Sequence, residues 1–78
     1  METKPLRRTA IAAEVRAERA RQGISLASLA AAIGKSPDTL TSRLLGKRPF
    51  HVEELLAICN LLGITLDELI ARAVANNE

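Results

Sequence analysis

Two short stretches in the middle of the chain carry apolar residues at three- and four-residue spacing, which is the period of an amphipathic helix. The apolar positions are Leu26, Leu29, Ala30 and Ile33 in the first stretch and Leu40 and Leu44 in the second. Gly34 and Lys35 lie between the two stretches and indicate a tight turn. Because isolated helices of this length are unstable in water, the pattern predicts that other helices pack behind them.

Capping residues beside these and other apolar runs predict five helices in all. The residues that suit the helix starts are Thr9, Ser25, Ser36, His51 and Thr65. Pro37 suits the first position of the third helix, where a missing amide hydrogen costs nothing. Glu54 and Glu68 follow the last two caps by three residues, as in a capping box. The predicted helix ends are Gln22, Gly34, Leu45, Gly63 and Ala75.

The composition favours a single helical domain. The chain has 78 residues, of which 47% are hydrophobic and 1% are aromatic, so its core must consist of Leu, Ile, Val and Ala. Such a core is typical of packed helices. We therefore predict an all-α, five-helix bundle over residues 9–75. A flexible basic arm is expected at residues 1–8 and a frayed tail at residues 76–78.

The sequence does not indicate catalysis. His51 and Cys59 are the only histidine and cysteine, and we interpret them as a helix cap or surface residue and a small core residue. Paired acids and a glycine-rich phosphate loop are both missing, so no enzyme activity, metal, cofactor or small-molecule ligand is predicted. A lone cysteine fits a reducing compartment, and no apolar run resembles a signal peptide or membrane span. We predict a cytoplasmic protein.

Charge is distributed unevenly along the chain. The net charge is +2, but residues 1–48 hold ten Lys and Arg against four Asp and Glu. Residues 49–78 hold one Arg against five acids. A basic half that contains the two short central helices suits a polyphosphate partner, and the acidic half limits non-specific association.

Residues 11–70 also carry a specific combination of motifs. These are Gly23-Ile24-Ser25, Leu29-Ala30, Ile33-Gly34, Ser36, Thr39-Leu40, Gly46-Lys47-Arg48-Pro49 and residues 62–69. In these motifs the chain resembles the Cro/repressor-type (XRE-like) helix-turn-helix domain, and it is most similar to small regulators of actinobacteria and their phages. The resemblance implies a lambda-repressor-like bundle. It also implies a Cro-like repressor, of phage or prophage type, that binds double-stranded DNA.

The resemblance further implies which residues contact DNA. The third helix, at about residues 36–45, would enter the major groove. Base-facing residues would be Pro37, Asp38, Thr41 and Ser42, although Asp38 also suits a first-turn carboxylate that stabilises the helix dipole. Phosphate contacts would come from Ser25, Lys35, Ser36, Arg43, Lys47 and Arg48. With about four phosphates neutralised per subunit, log affinity should fall against log salt with a slope of about −3 to −4.

Two departures from the family pattern change the expected contacts. Leu26 stands where the family commonly has a phosphate-binding glutamine, and Leu44 replaces a glutamate that pairs with the arginine matched by Arg19. The partner of Arg19 is then expected to be Glu53 or Glu54. Arg43 occupies a usually apolar position, and we expect its side chain to extend outward to the DNA backbone.

A single unit of this kind buries too little surface for high specificity, so a homodimer on a palindromic operator is expected. Ile70 and Val74 of the fifth helix are the predicted dimer contacts, and a dimer that forms only on DNA fits equally well. Lys4, Arg7 and Arg8 either contact DNA or form a solvated tail.

A second hypothesis uses the same bundle in a different way. The chain could be a protein-interaction module, such as an antitoxin-like or accessory regulator with little DNA affinity. The basic loop at Lys47 and Arg48 favours DNA binding. The missing glutamine and the small polar side chains of the third helix keep the alternative open.

Overall fold

The computed structural model of the protein describes residues 7–75. Within that range the chain forms helices and no strand. The helices are α1 (Arg8–Gln22), α2 (Leu26–Ile33), α3 (Pro37–Leu44), α4 (Val52–Leu62) and α5 (Leu66–Ala75). The prediction of an all-α, five-helix bundle is confirmed. None of the described helices combines the length and the apolar character that a membrane span requires.

Local hydrogen bonds define most helix starts as the sequence predicts. The hydroxyls of Ser25, Ser36 and Thr65 each accept a hydrogen bond from the backbone amide three residues later, at 3.0, 3.2 and 3.0 Å. The backbone amide of His51 donates to Oε1 of Glu54 at 2.9 Å. These contacts satisfy amides that have no partner within the helix, and so they fix where four of the helices begin.

The start of α1 differs from the prediction. Arg7, with an extended backbone, is the N-cap, and its carbonyl accepts a hydrogen bond from the amide of Ala10 at 3.0 Å. Thr9 is therefore inside the helix, where its methyl group lies close to Gly46. The prediction that Thr9 caps α1 was wrong because the helix begins one residue earlier, at Arg8, without a side-chain cap, so the predicted arm at residues 1–8 loses its last residue to α1. Lys4 and the predicted tail at residues 76–78 lie outside the described residues.

Every helix contributes one large, fully buried side chain to the core. These side chains are Val15, Leu29, Leu40, Ile58 and Leu69. Helix α1 packs against α3, α4 and α5, while α2 packs against α3 and α4. Cys59 is buried, as the sequence predicts, and the half-buried Phe50 packs against the core. The two central helices are thus supported from behind by the longer ones.

A cluster of charged residues joins α1 to α5. Arg21 lies 2.8 Å from both Glu14 and Glu18, and Arg72 of α5 lies 2.5 Å from Glu18. Charged residues three or four positions apart on a helix usually pair at the surface, but both glutamates are buried, at 4% and 8% exposure. The difference arises because α5 crosses α1 and covers these carboxylates, which then need cationic partners.

Candidate nucleic-acid interface

The turn between α2 and α3 sets the angle at which α3 leaves the bundle. Gly34 has a φ of 67°, and the amide of Lys35 bonds back to the carbonyl of Ala30 at 3.1 Å. Helix α3 then begins at Ser36 and Pro37, both of which are exposed. The turn therefore closes α2 within two residues and presents the start of α3 to solvent.

Helix α3 has a buried side and an exposed polar side. Leu40 and Leu44 are 0% and 4% exposed and face the core. Of the residues predicted to face bases, Pro37, Asp38 and Thr41 are exposed and Ser42 is partly buried. The structure thus brings these four side chains together on the first two turns of one helix, beside the turn from α2.

Hydrogen bonding within α3 restricts what Thr41 can do. Its hydroxyl donates to the carbonyl of Pro37 at 2.9 Å, so its hydrogen atom is already used. The oxygen keeps a lone pair that can accept a hydrogen bond from a base amino group. The carboxylate of Asp38 is also an acceptor, and the ring of Pro37 offers an apolar surface. This side of α3 is therefore suited to amino groups and thymine methyl groups.

Exposed cations stand at both ends of α3. Lys35 precedes the helix, and Lys47 and Arg48 follow it. The capped helix starts at Ser25 and Ser36 are also exposed, and their first-turn amides point outward from helices that carry partial positive charge there. Positive charge therefore lies at both ends of α3 and at two helix starts, a combination suited to polyphosphates.

Arg43 is not one of these exposed cations. Its side chain is 11% exposed, and its Nε lies 3.1 Å from Oε1 of Glu54 and 3.3 Å from the carbonyl oxygen of Pro49. The expectation that the side chain of Arg43 extends outward is therefore wrong, and its contact with phosphate stays a prediction. The cause is the carboxylate of Glu54, which is 7% exposed and requires a desolvated cationic partner nearby.

Arg19 also has a partner different from the expected one. Its Nη1 donates to the carbonyl of Ile24 at 2.9 Å, which holds the turn between α1 and α2. The predicted pairing with Glu53 or Glu54 was wrong, because Glu54 is taken by Arg43. Arg19 therefore donates to a backbone carbonyl and not to a carboxylate.

One residue that supports α3 was missed by the sequence reasoning. Arg16 of α1 donates from Nη1 to the carbonyl of Leu44, in the last turn of α3. That carbonyl has no partner within its own helix, and a cation there also suits the negative end of the helix dipole. In the sequence, Arg16 is recognisable only as an arginine on the outward side of α1. Nothing in the local pattern identifies the carbonyl of Leu44 as its partner.

Exposed apolar side chains lie on other surfaces of the bundle. Val74 of α5 is 53% exposed and Ile70 is partly buried, so both predicted dimer contacts reach the surface. Val52 and Leu56 of α4 are 64% and 51% exposed. Among residues 7–75 no group of three or more His, Cys, Asp or Glu is arranged to hold a metal ion.

The short helix pair, the exposed polar side of its second helix and the cations around it define a helix-turn-helix protein of the DNA-binding type. The helix-turn-helix family model HTH_3 matches residues 15–69. The chain therefore belongs to the XRE-like helix-turn-helix family of DNA-binding transcriptional regulators.

Two crystal structures of the clp gene regulator ClgR from Corynebacterium glutamicum share this fold. One is 31% identical with a TM-score of 0.86 and covers 95% of this chain and 79% of that chain. The other is 32% identical with a TM-score of 0.83 and covers 94% and 95%. No curated protein sequence matches the chain. The predicted similarity to actinobacterial regulators is confirmed by these structures.

Proposed function

We propose that this protein is a sequence-specific regulator of transcription, of the Cro-like repressor type, that inserts α3 into the major groove of double-stranded DNA. The observation that supports it best is the exposed polar side of α3 between Lys35 on one side and Lys47 and Arg48 on the other. Leu40 and Leu44 pack its buried side on the core, so its opposite side is left to present side chains to bases.

Base contacts are assigned to the first two turns of α3. Asp38 and Thr41 accept hydrogen bonds from amino groups of cytosine or adenine, Pro37 packs on a thymine methyl group, and Ser42 lies at the edge of the groove. None of these side chains makes the bidentate contact to a purine that Asn, Gln or Arg can make. Each base contact therefore contributes little, and recognition depends on several small ones.

The phosphate contacts come from side chains and from helix starts. Lys35, Lys47 and Arg48 neutralise phosphates, while the helix starts at Ser25 and Ser36 offer backbone amides. Because Arg43 is directed inward, three side chains remain per subunit. The expected slope of log affinity against log salt is then about −3 per subunit, and about twice that for a dimer. Arg7 is the N-cap of α1 and Arg8 is its first residue, and a phosphate contact from either would add about 0.9 to the slope.

A binding experiment tests the phosphate contacts directly. The full chain selects duplexes from a random library, and affinity for a selected and a scrambled duplex is then measured over a range of salt. Lys47→Gln and Arg48→Gln should each weaken binding to both duplexes and reduce the slope by about 0.9. Asn60→Asp makes the same change of net charge at an exposed position on α4 and should leave the slope unchanged.

A second variant pair tests the base contacts. Thr41→Val keeps the shape of the side chain but removes the oxygen, so it should change which sequence is selected while the salt slope stays the same. Thr41→Ser keeps the oxygen and should select the wild-type sequence. If the wild-type chain binds no duplex in a salt-dependent way, the proposal is wrong and the protein-interaction hypothesis replaces it.

We further propose that the regulator acts as a homodimer on a palindromic operator, through Ile70 and Val74 of α5. The exposure of Val74 supports this assignment, because an apolar side chain gains free energy when a partner covers it. Val74→Asp should abolish the dimer in sedimentation experiments with and without DNA. Leu56→Asp, an equally exposed position on α4, is the matched control and should leave the dimer intact.

A further inference from the structure

Helix α3 is supported by its neighbours on one side only. It packs against α1 and α2, and among the described helices its backbone makes no close approach to α4. Leu40 and Leu44 fill the side that faces the core. A helix of eight residues held along one side can roll about its own axis, and such a roll would move Thr41 and Ser42 relative to a bound duplex.

The side chain of Arg43 spans the gap between the backbones of α3 and α4. It starts on α3 between Ser42 and Leu44, and its Nε reaches Oε1 of Glu54 on α4 at 3.1 Å. The same Nε lies 3.3 Å from the carbonyl oxygen of Pro49, in the loop that joins the two helices. Arg43 therefore links α3 to both the loop and the start of α4.

The carboxylate at the far end of this link is itself fixed. Oε1 of Glu54 accepts a hydrogen bond from the backbone amide of His51 at 2.9 Å, which locks it to the first turn of α4. Its other oxygen, Oε2, is buried and has no hydrogen-bond partner. Without Arg43 this buried carboxylate would lose its only cationic partner among residues 7–75, so the ion pair resists opening.

We propose that Arg43 and Glu54 form a positioning pair that fixes the roll of α3 against α4, so that Arg43 supports DNA binding through Glu54 and without contacting phosphate. This inference rests on the proposed function and assigns a role within the same interface. Arg43 directly follows Ser42 and comes two residues after Thr41, so its attachment sets where those two side chains point. The pair is a support for the base contacts and makes none of its own.

The experiment compares Arg43→Met, Glu54→Gln and the double variant on the duplex that the wild-type chain selects. Met keeps the apolar stem of Arg43 without its charge. Gln keeps the hydrogen bond to the amide of His51, because either Glu or Gln can complete a capping box. Affinity is measured over a range of salt, at a temperature where circular dichroism shows each variant to be folded. Lys47→Gln is the reference for the loss of a phosphate contact.

A positioning pair predicts the same result for both single variants. Each should weaken binding on the order of tenfold with an unchanged salt slope, and the double variant should be no weaker than either one. Lys47→Gln should instead reduce the slope by about 0.9. The distinctive result is that Glu54→Gln loses as much affinity as Arg43→Met. Removal of an acid near DNA would otherwise strengthen binding.

Three outcomes would overturn the inference. A reduced slope in Arg43→Met with unchanged binding by Glu54→Gln would make Arg43 a phosphate contact. Wild-type affinity in both variants, with a lower unfolding temperature, would reduce the pair to a stabilising contact. Additive losses would show two independent roles. If Arg43→Met does not fold, Glu54→Gln alone decides, through its affinity and slope. Failure of the wild-type chain to select a duplex would instead refute the proposed function.

Discussion

The contact between Gly46 and Thr9 predicts a specific loss of stability. Gly46 follows α3 with a φ of 77°, and a Cβ atom placed on it would lie 2.7 Å from Cγ2 of Thr9. Gly46→Ala therefore combines two costs. A left-handed backbone costs an alanine about 1–2 kcal/mol, and overpacking adds about 1–3 kcal/mol. We expect the free energy of unfolding to fall by about 3 kcal/mol.

Two further variants separate these costs. Gly63→Ala is the matched control, because its φ is 71° but no atom lies within 4 Å of the added Cβ, so only the backbone cost of about 1–2 kcal/mol applies. Thr9→Ser removes the methyl group that Gly46→Ala would strike. When Thr9→Ser is combined with Gly46→Ala, it should restore about 1 kcal/mol or more of the free energy of unfolding.

The measurement is urea unfolding followed by far-ultraviolet circular dichroism, with all four variants fitted to a two-state transition. If Gly46→Ala is no less stable than Gly63→Ala, the approach of α1 to the end of α3 is not tight. If Thr9→Ser fails to recover stability in the double variant, the methyl contact is not the cause of the loss. Either result would refute the reasoning.

Two further predictions concern ionisable groups. Hydrogen bonds from Gln22 and Arg21 lower the pKa of Glu18, so the folded state binds its proton less readily than the unfolded chain does. Its contribution to stability is present above the ordinary pKa of about 4.5 and is lost as the pH falls through the lower pKa of the folded state, so the urea midpoint of Glu18→Gln should depend less on pH in acid than that of the wild type. Burial raises the pKa of the Cys59 thiol. Cys59 should therefore react with Ellman's reagent slowly in the folded protein and quickly in urea, and equal rates would show that it is not buried.

The location of the candidate site follows from the sequence because its signals are local. The caps at Ser25 and Ser36 act on amides three residues away, and apolar spacing assigns Leu40 and Leu44 to the buried side. The remaining positions of α3 are then the exposed ones. Which DNA atoms Thr41 contacts is still a prediction, and its hydrogen bond to Pro37 could not be read from periodicity.

The partners of the long charged side chains could not be predicted in this way. Arg43 matched a usually apolar position and was expected to extend outward to the DNA backbone, and only the placement of α4 shows that Glu54 is within reach. Arg19 was assigned to an acid but bonds to the carbonyl of Ile24. Arginine has a long stem and five donors, so many partners satisfy it equally well and helix packing selects among them.

The sequence by itself determined the helical class, most helix boundaries and the uneven charge, because these depend on contacts within about four residues or on composition alone. Tertiary structure decided how α3 is held. Arg16 meets the carbonyl of Leu44 across 28 residues, and Arg72 meets Glu18 across 54. Contacts over such separations depend on the angles at which whole helices cross. Core packing sets those angles, and they cannot be predicted from a local sequence pattern.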